Sequence, residues 1–168
     1  MSPKARRAAG LGAAGALALG ALLLFRWERT PLLTAETLAA ARARWEAAPL
    51  RDYDLTISKV LDVRAPEIIH TEVRGGKATQ LDVDGSTVSL RDSYTVPGLF
   101  DVLGEELAIA SSKNPLPGQP HGAILRARFV DGLGFPVVLK RIASNRQSYT
   151  IVVLRLEVPG GQVLWPLR

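Results

Sequence analysis

The sequence predicts an α+β fold. It has an N-terminal transmembrane helix, then an antiparallel sheet of about seven strands with two helices packed on one face. Three observations lead there. Apolar residues recur at helical spacing over residues 34–48 and again from Val96 onward. The stretches after each of them alternate apolar and polar residues and are punctuated by Gly75-Gly76, Asp84-Gly85 and Gly132-Leu133-Gly134. The order is helix, four strands, helix, three strands, and this lack of single alternation disfavours a doubly wound parallel sheet.

The first helix is capped by Thr34, places Leu38, Ala41 and Trp45 on one stripe, and stops at Pro49. Tyr53, Leu55 and Ile57 alternate with Asp54, Thr56 and Ser58 as a half-buried strand. Strands follow over residues 68–74, 77–83 and 86–90, with Asp84-Gly85 as a tight hairpin turn. The second helix starts after Thr95 and carries Val96, Leu99, Phe100, Leu103, Leu107 and Ala110 on its apolar side. Residues 111–121 contain three prolines and read as a loop. The last strands cover residues 122–130, 136–143 and 148–158. The run Ile151-Val152-Val153-Leu154 predicts a central strand covered on both faces. Two successive helix–meander units suggest a structural duplication, although no residue-level repeat accompanies it.

Residues 8–25, AAGLGAAGALALGALLLF, contain no polar side chain. As a helix they span about 27 Å, close to the hydrocarbon thickness of a bilayer. Lys4, Arg6 and Arg7 precede the run and Arg26-Trp27 follows it, which predicts a cytoplasmic N-terminus and an extracytoplasmic domain. A cleaved signal peptide is the rival, with Ala16-Leu17-Ala18 as its cleavage pattern. The expected organisation is a basic tail 1–7, a span 8–25, a linker 26–33, a domain 34–158 and a C-terminal tail 159–168. The isoelectric point near 10 owes much to that tail. From Arg26 onward, 18 basic residues face 16 acidic ones.

Five segments, in order, carry a resemblance. They are Trp45 with Asp52-Tyr53-Asp54-Leu55, Glu72-Val73-Arg74-Gly75-Gly76-Lys77, Tyr94-Thr95-Val96-Pro97-Gly98-Leu99-Phe100-Asp101, Leu125-Arg126-Ala127-Arg128-Phe129, and Gly134-Phe135-Pro136. Over residues 42–158 the chain resembles the bacterial DUF6174 family of small exported or membrane-anchored domains. The resemblance implies an exported α+β domain and supplies no catalytic residue. The chain differs from many members in having no lipoprotein cysteine and no cysteine pair near the first hairpin.

With no cysteine, disulfide frameworks, thiolate metal sites and cysteine nucleophiles are excluded. Asp82-x-Asp84-Gly85 has Thr87 and Ser93 where a calcium loop needs glycine and glutamate, so it reads as a hairpin turn. His70 and Glu72 share a strand face but lack a third ligand nearby in sequence. Ser111-Ser112-Lys113 sits at a helix end without a strained elbow. No catalytic residue, metal ligand or cofactor is expected. The feature with binding content is basic: if Leu125, Ala127 and Phe129 face the core, Arg126 and Arg128 point outward, and Lys140 and Arg155 continue the patch. Such a patch suits an anionic surface or an envelope protein. Aromatic residues do not interleave with it, so nucleic acid is not expected.

The functional expectation is a single-pass protein of the cell membrane, anchored in the bilayer by residues 8–25. Its domain is a non-enzymatic binding or accessory module of the cell envelope. The alternatives are an inhibitor-like protein-binding module and a hydrolase whose site is not recognisable from sequence.

Overall fold

Thr34 and Thr95 set where the two helices begin. The Thr37 N–H donates to Thr34 Oγ1 at 3.1 Å, and Thr37 Oγ1 lies 3.1 Å from the Thr34 N–H, so a second threonine completes the capping box. Helix α1 then runs Ala35–Ala47 and buries Leu38, Ala41 and Trp45. At the second cap the Gly98 N–H donates to Thr95 Oγ1 at 3.1 Å. Helix α2 runs Val96–Ser111, with Pro97 in its first turn, where its missing N–H costs nothing. The computed structural model describes residues 30–48, 50–62, 64–112, 122–143 and 148–166. Residues 8–25, where the span is expected, lie outside these. Among the described residues no helix is long and apolar enough to cross a membrane.

The strands are β1 (Tyr53–Leu61), β2 (Glu67–Arg74), β3 (Lys77–Val83), β4 (Ser86–Thr87), β5 (Ile124–Phe129), β6 (Pro136–Ile142), β7 (Tyr149–Val158) and β8 (Gln162–Trp165). They form one sheet in the order β4-β3-β2-β1-β7-β6-β5, and every pairing is antiparallel. Long β7 lies between β1 and, on its other side, β6 against its first half and β8 against its second. Residues 31–33 close the outer edge of β5: the Leu33 N–H donates to the Leu125 carbonyl at 2.9 Å and the Ala127 N–H to the Pro31 carbonyl at 3.1 Å.

Four expectations are corrected. The fourth strand holds two residues rather than five: only Ser86 and Thr87 pair in register with β3, and beyond them a single bond, from the Val88 N–H to the Leu81 carbonyl at 2.9 Å, continues the contact. The C-terminal tail, set apart from the domain at residue 159, joins the sheet as an eighth strand, with Trp165 Nε1 donating to the Val153 carbonyl at 3.0 Å. The run 151–154 is central but covered on one face, with Ile151 and Val153 inward and Leu154 exposed. Thr56 pairs with Arg155 and Ile57 with Val153, so Leu154 is the extra residue of a bulge.

The duplicated unit is the fourth. Both meanders advance in the same direction across the sheet, β1 to β3 and β5 to β7, and both helices contribute to one core. Yet β7 is antiparallel to β1, so the leading strands β1 and β5 run oppositely. Preserving order and face while reversing strand direction is a reflection. No rotation superposes the halves.

Residues 31–168 form one compact unit. Its core lies between the helices and the sheet face bearing Tyr53, Leu55, Ile57, Ile69, Val73, Leu81, Leu139, Val153 and Leu156. Trp45 meets Tyr53 edge-on at 5.5 Å and Phe135 at 6.1 Å, and Phe135 meets Trp165 at 6.3 Å. Phe100 stacks on Phe129 at 6.0 Å. Trp45, Tyr53, Phe100 and Leu125 are buried as the sequence predicts, and Phe129 is half-buried. Gly134 has φ 77°, and a Cβ there would sit 2.2 Å from the Ala41 carbonyl oxygen of α1. The β5–β6 turn therefore touches α1 only because that residue is glycine.

Phe100→Ala is expected to lower stability by about 3–5 kcal/mol, read from the urea midpoint at an unchanged slope. Buried Tyr53 accepts a hydrogen bond from the Val96 N–H at 3.0 Å, and desolvation pushes its pKa up to about 12. The unfolded phenol ionises near pH 10, so its contribution is complete below that and declines as pH rises towards 12. Tyr53→Phe is expected to be less stable at neutral pH, because the Val96 N–H loses its acceptor. Its stability should also decline less steeply above about pH 10. Thermal melts at successive alkaline pH values check both.

Candidate functional site

Alternation along the strands puts a second set of side chains on the sheet face opposite the helices. Cross-strand register arranges them in rows. Arg126 pairs with Lys140, and Lys140 with Thr150. The next row is Arg128, Val138, Val152, Ser58 and Ile68. Further along come Arg155, Thr56, His70 and Asp82, and beyond them Glu157, Asp54, Glu72 and Gln80. The face is basic at one corner and acidic at the opposite end.

The structure brings together three of the four predicted site residues. Arg126 and Lys140 are direct cross-strand partners, and Arg128 stands two residues along the same face of β5. All three are half-buried. Arg128 also lines a cleft of about 320 Å³ between residues 31–32 and α1, with Arg44 and Asp131 in its wall. Arg155 does not join them. The β7 residue opposite Lys140 is Thr150, and Arg155 lies four paired positions further along the sheet, about 14 Å at strand spacing. It bonds Glu157 at 2.6 Å. Length is the reason: β7 outruns β6, so its far half belongs to another part of the face.

At the acidic end Glu157, Asp54 and Glu72 stand abreast on three neighbouring strands. Arg74 holds two of them: Nη1 donates to Asp54 at 2.7 Å and Nη2 reaches Glu72 at 3.4 Å. Its Nη1 also donates to the Tyr53 and Val73 carbonyls. The bond to Asp54 raises the guanidinium pKa above its ordinary value. Next to this row, Thr56 Oγ1 lies 3.2 Å from His70 Nδ1. Asp82 accepts from Thr87 Oγ1 at 2.7 Å and Gln80 Nε2 at 2.8 Å, and these bonds hold its carboxyl below the usual carboxylate range. Asp84 turns the β3–β4 hairpin at φ 50° and accepts from the Ile68 N–H. Both acids of the Asp82-x-Asp84-Gly85 motif thus face protein donors. Ser111 ends α2 and Ser112 caps it, while Lys113 and His121 lie outside the described residues.

Sequence reasoning missed Arg141. It is buried on the helix side of β6, with Nε 3.1 Å from Glu106 Oε2 of α2. Its guanidinium carbon lies 6.0 Å from the centre of the Tyr149 ring. Burial and then Glu106 push the Tyr149 hydroxyl pKa up. The signal was there, because inward Leu139 requires inward Arg141. On the helix side, cavities of about 450 and 670 Å³ flank the Arg42–Asp101 ion pair, which is 2.5 Å long. The larger is walled by small and apolar residues such as Ala35, Leu38, Ala39, Gly104 and Ala108. The smaller has Trp45, Glu46, Arg51 and Phe100 in its wall. These walls combine charged and apolar surface, and the larger also includes Glu105 and Ser111.

Replacing Arg74 with glutamine leaves three adjacent carboxylates with Arg155 as the nearest cation of the network. Arg74→Gln is expected to lower the melting temperature most at low salt. The deficit should shrink in about 0.5 M salt, where repulsion is screened. Melts across a salt series check it. A scan against protein-family models and a search of the curated proteins return no match to this chain.

Proposed function

We propose that this protein is a single-pass membrane protein whose domain serves, outside the cytoplasm, as a binding or accessory module of the cell envelope. The observation that carries the reading is the sheet face opposite the helices. Among the described residues no helix lies on it, and its charge is sorted into a basic corner and an acidic end. A helix-free, charge-sorted sheet face is suited to docking rather than to enclosing a small substrate. The uninterrupted apolar run 8–25, with Lys4, Arg6 and Arg7 before it, supports the anchor and its direction. The DUF6174 resemblance, which implies an exported or membrane-anchored domain, supports the compartment.

A protein partner is the second reading. It is favoured by Val88 and Leu90, which are 40% and 55% exposed just beyond β4 at the open edge of the sheet. An apolar, nearly unpaired edge is a template for strand addition.

The test is fractionation of cells making the full chain. The protein is expected in the membrane fraction after an alkaline carbonate wash, with residues 1–25 intact by mass spectrometry and the domain digested by protease added from outside. A mature N-terminus near Leu19 overturns the anchor, and a protected domain overturns the topology. Cross-linking in the intact envelope followed by purification is expected to recover products through the helix-free face.

A further inference from the structure

The basic corner is also apolar. Ile124 and Ile142 are direct cross-strand partners on the same face as Arg126 and Lys140, two residues further along β5 and β6, and each is 47% exposed. On the other side of β5, Leu32 pairs with Arg126 and so shares that face; it is 58% exposed. Three branched apolar side chains and three cations thus occupy one corner of the sheet. Large exposed aliphatics elsewhere among the described residues, Val88 and Leu90 for example, have no such cations in register with them. Apolar side chains set beside Arg and Lys are the composition of a surface that sits in the headgroup region, where aliphatic groups enter the acyl boundary and cations meet anionic headgroups. Leu32 is only seven residues beyond Phe25, the end of the apolar run. Even fully extended, that stretch reaches about 25 Å. A membrane-inserted run 8–25 therefore confines this corner, more tightly than any other part of the sheet, to the vicinity of the bilayer.

We infer that Leu32, Ile124 and Ile142, with Arg126, Arg128 and Lys140 beside them, rest on the anionic lipid surface of the membrane that anchors the chain; this depends on residues 8–25 being the anchor. The tether keeps the local lipid concentration high, so contacts of modest strength suffice to hold one orientation.

The cysteine-free sequence makes the test clean. Ile142→Cys and, as a control at the opposite end of the sheet, Ser89→Cys are introduced separately into the full chain and labelled with an environment-sensitive fluorophore. The proteins are reconstituted in phosphatidylcholine vesicles with and without phosphatidylglycerol, and quenching by a lipid-borne quencher is read. Position 142 is expected to be quenched several-fold more than position 89, and only where phosphatidylglycerol is present. The contact should weaken about fivefold for each of Arg126, Arg128 and Lys140 changed to glutamine, and rising salt should weaken it without any substitution. Equal quenching at the two positions, or quenching at 142 that ignores phosphatidylglycerol and salt, overturns the lipid contact. A chain that an alkaline carbonate wash strips from the vesicles overturns the anchor and the contact together. A chain that is retained but unquenched at 142 overturns the contact alone.

Discussion

The pairing of β1 with β7 is the constraint on which the rest of the domain depends. Each meander by itself is a set of hairpins with little core. Only the antiparallel register from Asp54–Glu157 to Leu61–Tyr149 makes them one sheet wide enough for two helices. That register joins segments about a hundred residues apart, so its closure entropy must be offset by what it buries. The offset is visible in the residues it aligns: Leu55 meets Leu156 and Ile57 meets Val153, all fully buried beneath α1 and α2. Tyr53, at the start of β1, ties the same strand to α2 by accepting from the Val96 N–H, and packs edge-on against Trp45 of α1. One strand thereby positions both helices and both meanders.

Bulges then decide which side chains reach which face. Leu154 in β7, Thr79 in β3 and Val137 in β6 are each an extra residue opposite a partner strand that has none. Beyond each bulge the inward and outward sets exchange parity. This is how Leu156, rather than Arg155, enters the core, and how Ala78 and Leu81 are both inward although three residues apart. The bulge at Leu154 likewise turns Arg155 onto the outer face, where the length of β7 beyond β6 places it at the acidic end.

Alternation and capping made most of this legible from sequence. Thr34 and Thr95 mark the helix starts, Tyr53, Leu55 and Ile57 mark the buried face of β1, and the hairpin pairing of Arg126 with Lys140 follows from the inward set of β5. What was not legible depends on distant partners. Whether residues 86–90 form a strand is decided by how far they follow β3, and only Ser86 and Thr87 stay in register with it. Whether 162–165 form one is decided by the unpaired half of β7. The apolar members of the basic corner were equally hidden. Ile124 and Ile142 read as ordinary strand residues until the register places them together, and Leu32 lies in what reads as linker until it bonds β5. Spacing within a segment predicts a face, but only pairing predicts a neighbour.

The separation of charge along the open face gives the basic corner its sign at the distances that matter. From the Arg126–Lys140–Thr150 row to the Glu157–Asp54–Glu72 row, the paired strand β1 advances six residues, from Val60 to Asp54, about 20 Å at strand spacing. The Debye length at physiological ionic strength is about 8 Å. An anionic surface meeting the corner therefore experiences its cations almost unopposed by those carboxylates, even though the domain as a whole is close to neutral. Those carboxylates are further drawn in by Arg74 and Arg155. Residues 31–33 join the outer edge of β5 at this same corner through an isolated bridge. Positive charge and the residues that bridge to β5 thus coincide at one edge of one sheet.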